Sequence, residues 1–149
     1  MKRVTAGLKR QVAKRANGLC EYCRTPEEYS PDSFSAEHIL PQSAGGKTSR
    51  ENLAFSCQGC NNHKYNKTQG YDPVSEALVP LYNPRYHEWS EHFTWSEDFA
   101  SIVGITAIGR ATVEALQLNR KGVVNLRRVL YSVGAHPSER RTDEIVTRE

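Results

Sequence analysis

Long hydrophobic runs are missing from this 149-residue chain. Apolar residues make up 38% against 25% charged, and no stretch nears the ~20 residues that cross a bilayer. The opening Met1-Lys2-Arg3-Val4-Thr5-Ala6-Gly7 also lacks the apolar segment of a secretory signal. The expectation is a cytoplasmic chain of one domain, or one core with an appendage. Its core is small enough to need a metal or another staple. No internal repeat or low-complexity segment is present. Residues 43–48 are too poor in glycine, and lack the preceding strand, for a phosphate-binding loop.

Cysteine is scarce too, with four in all, but they fall as two C-x-x-C pairs, Cys20/Cys23 and Cys57/Cys60. Zinc takes four soft ligands in a tetrahedron, and each tight turn supplies two. The pairs read better as a zinc clip than as disulfides in a cytoplasmic chain, as redox motifs without a βαβ pattern, or as free buried thiols. A four-cysteine site keeps no open position, so this zinc is structural.

Charge is unevenly placed. Residues 1–24 carry seven Lys/Arg against one acid, residues 25–98 five against eleven, and residues 99–149 eight against five. Basic flanks around an acidic middle fit phosphate-gripping ends and a cation-holding centre; solvated terminal helices are the bland alternative.

The pattern along the chain predicts an α+β fold. Leu8, Val12 and Ala16 share one face of a helix over 8–17, with Lys9, Arg10, Lys14 and Arg15 on the others and Asn17-Gly18 as its stop. Short strands are expected at 35–40 and 52–56, then a polar helix from the second knuckle to about Lys67. Residues 69–88 read as an extended connection. Alternating Trp89, Glu91, Phe93 and Trp95, followed by Ile102 to Ile105, predict a β-hairpin. Helices follow over 111–118 and 123–133; Leu126, Val129, Leu130 and Val133 share the apolar face of the second, and Arg127 and Arg128 lie opposite. The last dozen residues read as charged and frayed. Residues 1–68 are expected to form a zinc-stapled core with its basic helix. Residues 69–149 are expected as a C-terminal extension packed on it as one compact unit.

The zinc clip brings Glu37-His38 near the start of the polar helix, where Asn61 lies. A carboxylate is a hard ligand for a magnesium-like ion, and histidine has the unperturbed pKa of a base. Glu-His by itself is weak, since a lone histidine on a strand is more often a packing residue.

Taken in order, Cys20-x-x-Cys23, Glu37-His38-x-x-Pro41, Gly45-Gly46, Asn52-Leu53 and Cys57-x-x-Cys60-Asn61-x-x-Lys64 resemble the HNH endonuclease family, with its ββα-metal, treble-clef-like finger. The resemblance spans residues 20–67, about a third of the chain. It implies His38 as general base, with Asn52 holding the loop and the His38 strand in register. It implies Glu37 and Asn61 as ligands of a catalytic divalent cation. His63 ranks second as a ligand, because two residues along a helix is the wrong face. Asn61 stands where the family commonly has histidine, and an amide oxygen suits Mg²⁺ or Mn²⁺ better than zinc. Lys64, one turn beyond Asn61, and Lys67 would contact phosphate, joined by Arg10 and Lys14 of the basic helix and by Arg127-Arg128. The implied substrate is nucleic acid, DNA foremost. The segment after residue 68 resembles an extension of bacterial HNH proteins. Its aromatics read as core rather than as base-stacking platforms. Two other classes stay open: a non-catalytic zinc-stapled nucleic-acid-binding module, and a protein-interaction domain built on the extension.

Overall fold

Residues 2–138 are described in a computed structural model; the expectation for the last dozen residues lies almost wholly outside that range. Helix α1 (Ala6–Arg15) starts where the Thr5 hydroxyl accepts a bond from Leu8 N. It stops where Asn17 and Gly18 turn left-handed, at φ 55° and 73°, with Gly18 N donating to Ala13 O. The chain then passes through the first knuckle into β1 (Ser35–His38). That strand pairs antiparallel with β2 (Leu53–Ser56), with Glu37 opposite Ala54 and His38 opposite Leu53. Helix α2 (Gln58–Lys64) follows directly. This is the expected hairpin and helix, and with the cysteines it makes the α+β zinc-stapled finger.

The remaining chain adds β3 (Gln69–Tyr71), β4 (Leu78–Pro80), α3 (Trp89–His92), β5 (Phe93–Trp95), β6 (Ile102–Gly104), α4 (Ala107–Leu116) and α5 (Lys121–Ser132). Each strand pair forms its own two-stranded antiparallel sheet.

Three expectations need correction. Residues 69–88 are not merely an extended connection, because β3 and β4 pair within them. Asp72 closes the loop between these strands. Its carboxylate accepts from Val74 N, Ser75 N and the Ser75 hydroxyl, and from Arg110 Nε and Nη2 at 2.8 and 2.9 Å. Trp89 opens a helical turn rather than a strand, and only Phe93 to Trp95 pair with β6. In α5 the apolar face is misphased: Val129 and Val133 are exposed, whereas Arg127 is buried beside Leu130. Arg15 of α1 is buried likewise, donating from Nη1 to Arg50 O and from Nη2 to Leu53 O.

One hydrophobic cluster runs through both portions, from Val12, Phe34 and Phe55 to Tyr82, Phe93, Leu116 and Leu118. Trp89 rests against Phe93 and Trp95, and the guanidiniums of Arg24 and Arg127 lie over Trp89 and Trp95. The aromatics are therefore packing residues.

Candidate functional site

Local hydrogen bonds fold each cysteine pair into a knuckle. Cys20 N donates to Thr25 O and Arg24 N to Cys20 O, with a bridge between Leu19 and Pro26 closing the turn. Cys57 is the N-cap of α2, its sulfur accepting from Cys60 N at 3.4 Å. All four sulfurs lie within 4.8 Å of one another, buried, with Cys23 Sγ 3.6 Å from Cys57 Sγ. Tetrahedral zinc with Zn–S of about 2.3 Å sets sulfurs at just such separations, so the set fits structural zinc. Among the described residues no other group of three His, Cys, Asp or Glu ligands is assembled in this way.

The first knuckle is also tied to the hairpin. Glu21 N donates to Phe55 O, and the Glu21 carboxylate accepts from Phe55 N.

His38 ends β1, and the chain beyond it is held by Asn52. Ile39 N donates to Asn52 O at 2.9 Å. The Asn52 amide oxygen accepts from Leu40 N at 2.9 Å, and its nitrogen donates to Leu40 O and Lys47 O at 3.0 and 2.9 Å. Gly46 is required for this packing, since a Cβ there would lie 1.7 Å from Leu40 O and 2.9 Å from Asn52 Nδ2. Replacing Asn52 by alanine should therefore cost about 1–3 kcal/mol, read as a lower urea midpoint. The His38 ring is half-buried, with Nε2 2.9 Å from the Thr48 hydroxyl. Burial, and then the positive charge of Lys64, lower its pKa below the ordinary histidine value.

A protein-family model described as HNH endonuclease matches residues 20–67. Over that segment, about a third of the chain, the sequence is similar to the HNH endonuclease family. Comparison with curated proteins and with solved structures gave no match.

Within this HNH-like segment the sequence-predicted residues are placed unequally. Lys64 is a correction. It is only 2% exposed and reaches no solvent-side phosphate; its ammonium donates to Ile39 O at 2.9 Å and lies 3.4 Å from both His38 O and Glu37 Oε2. Its aliphatic stem packs inward while its head finds oxygens at the end of β1. Glu37 is 6% exposed, and its other oxygen accepts a 2.5 Å bond from the Tyr22 hydroxyl. Burial raises the Glu37 carboxyl, against the pull of Lys64 and Tyr22. Both oxygens of the Glu37 carboxylate are thus engaged, one by the Tyr22 hydroxyl and the other by the Lys64 ammonium. Asn61 is half-buried and His63 exposed, both on α2.

Sequence reasoning missed Tyr22, although it sits inside the first knuckle. Residue type alone does not show that its ring carries a hydroxyl to Glu37.

A prediction follows from the buried pair. Lys64→Ala leaves Glu37 uncompensated and should destabilise the HNH-like segment by about 3–5 kcal/mol in urea unfolding. If Lys64 served only as a phosphate contact, the midpoint would stay put while DNA affinity fell.

The other cations divide. Arg10 and Lys14 are exposed on α1, as is Lys67, whose ammonium donates to His63 O at 3.0 Å. Arg127 is a second correction: at 3% exposure it bonds protein carbonyls, and Arg128 alone of that pair faces solvent.

Proposed function

We propose that the protein is an endonuclease that hydrolyses phosphodiester bonds of DNA, with His38 as its general base. The observation that carries this reading is a half-exposed histidine at a strand end that Asn52 fastens in place by three side-chain bonds. With its pKa lowered, the imidazole is neutral near pH 7 and can take a proton from water. The resulting hydroxide attacks phosphorus in line, the P–O3′ bond breaks, and the leaving 3′ oxygen takes a proton from solvent water, giving a 5′-phosphate and a 3′-hydroxyl. Arg10, Lys14 and Lys67 grip the flanking phosphates through charge.

The family expectation of Mg²⁺ or Mn²⁺ belongs to the same proposal. Such an ion supplies positive charge to the phosphate when bound. Glu37, engaged by Lys64 and Tyr22, takes no part in these steps. That engaged carboxylate favours a second reading, a zinc-stapled nucleic-acid-binding module without catalysis.

Incubating purified protein with supercoiled plasmid, in Mg²⁺, Mn²⁺ or EDTA, separates the two. Nicking that requires His38 supports the nuclease. Retained gel-shift binding with no cleavage under any metal supports the module.

A further inference from the structure

The zinc site is completed by the C-terminal segment. Zinc with four thiolates carries a net charge of −2, and a buried charge of that size requires compensation. Arg120, at the start of α5, points its guanidinium at two of the sulfurs. Its Nη2 is 3.6 Å from Cys57 Sγ and 3.7 Å from Cys60 Sγ, and its Nη1 is 3.7 Å from Cys60 Sγ. The same Nη1 donates to Leu116 O and Gln117 O at 3.0 Å, at the carbonyl end of α4. Arg127 reaches the first knuckle instead. Its hydrogen bonds go to neutral oxygens of Ala100, Leu118, Asn119 and Cys23, the last at 3.4 Å. Two arginines thus face a site of charge −2, one directly and one through a knuckle carbonyl.

The second knuckle is shaped for this contact. In Cys57-Gln58-Gly59-Cys60 the glycine lies in α2 without a left-handed φ, so its backbone does not require it. The contact with Arg120 does: a Cβ at Gly59 would lie 2.7 Å from Arg120 Nη2, 2.8 Å from Cζ and 2.9 Å from Nε, so the guanidinium would have to move away. The missing side chain is the room that the guanidinium occupies.

We propose that Arg120 is a positioning residue of the zinc centre, donating to the Cys57 and Cys60 sulfurs and thereby setting how firmly the metal is held. The inference rests on the reading of the four cysteines as a zinc site. Hydrogen bonds to a thiolate lower its basicity and its readiness to be protonated or attacked, so their loss speeds metal release.

The test uses the full-length zinc-loaded chain. Metal analysis of the wild type checks the zinc reading itself, which fails if less than one equivalent is bound under reducing conditions. Zinc transfer to a chromogenic chelator then reads the inference. Arg120→Leu should hold zinc about 10–100-fold more weakly than wild type, the range for loss of an outer partner of a metal ligand, and release it correspondingly faster. Arg120→Lys should recover part of that loss, and exposed Arg128→Leu none of the change. Gly59→Ala keeps the charge but fills its space, so it should also speed release, although alanine is the better helix former.

Cobalt-substituted protein gives a readout that a merely structural arginine would not move. The sulfur-to-cobalt charge-transfer band should shift in Arg120→Leu and in Gly59→Ala. Wild-type release rates and an unshifted band in folded variants would overturn the proposal. Should Arg120→Leu fail to fold, Gly59→Ala decides by the same two readouts.

Discussion

Replacing His38 with alanine should cut cleavage of supercoiled plasmid by about 10²–10⁴-fold, the usual loss when a general base is removed. The melting temperature should scarcely change. The His38 side chain is half-exposed, and its Nε2 pairs with the Thr48 hydroxyl, itself 3.4 Å from Lys2 O. The backbone around it does not depend on the ring, since the strand end is held by Asn52 and the pairing of His38 with Leu53 survives any side chain. The pH profile adds a second reading of the same base. A base works unprotonated, and burial together with Lys64 lowers this pKa. The acid limb of kcat/KM should therefore lie below the ordinary histidine value of about 6.5. Activity that persists in folded His38→Ala protein would remove His38 from the base role. A limb above that value would contradict the burial of the ring and the charge of Lys64.

The finger was legible because its signals are local. Paired cysteines fix two tight turns, Asn17-Gly18 stops a helix, and apolar runs between turns mark two short strands. Asn52 was legible through the family pattern, and its three side-chain bonds across the loop give a physical account of its place in that pattern. What stayed hidden depends on long-range contacts between side chains. Lysine and arginine count as surface residues in any periodicity. Yet Lys64 finds the oxygens of Glu37 and Ile39, Arg127 those of Ala100 and Leu118, and Arg85 pairs with Glu21 from 64 positions away. Once these cations turn inward, valines are left outside, which is why the apolar face of α5 was misphased. The pairing of β3 with β4 was hidden for a related reason. Pro73 and Pro80 read as breaks, but Pro73 lies in the connecting loop and Pro80 ends an exposed edge strand, where a missing N–H costs little.

Removing zinc should unfold the finger outright. A structural zinc contributes on the order of 10–16 kcal/mol of apparent binding free energy, as large as or larger than the ~5–15 kcal/mol net stability of a typical domain. Here the metal joins the turn before β1 to the N-terminus of α2, and all four cysteines belong to the hydrophobic cluster, so its loss would also open the core around Phe34 and Phe55. A strong chelator under reducing conditions should abolish the cooperative melt, and one equivalent of Zn²⁺ should restore it. Cys57→Ser should act similarly but less completely. A serine hydroxyl can still cap α2, where the Cys57 sulfur now accepts from Cys60 N, but it is a poor zinc ligand. The reductant matters, because four free thiols this close would otherwise oxidise in pairs and mask the loss of metal. Equal melting of wild type, chelated protein and Cys57→Ser would show that the core stands without the clip. The four sulfurs would then be packing residues, and His38 and Asn52 would owe their positions to the hairpin alone.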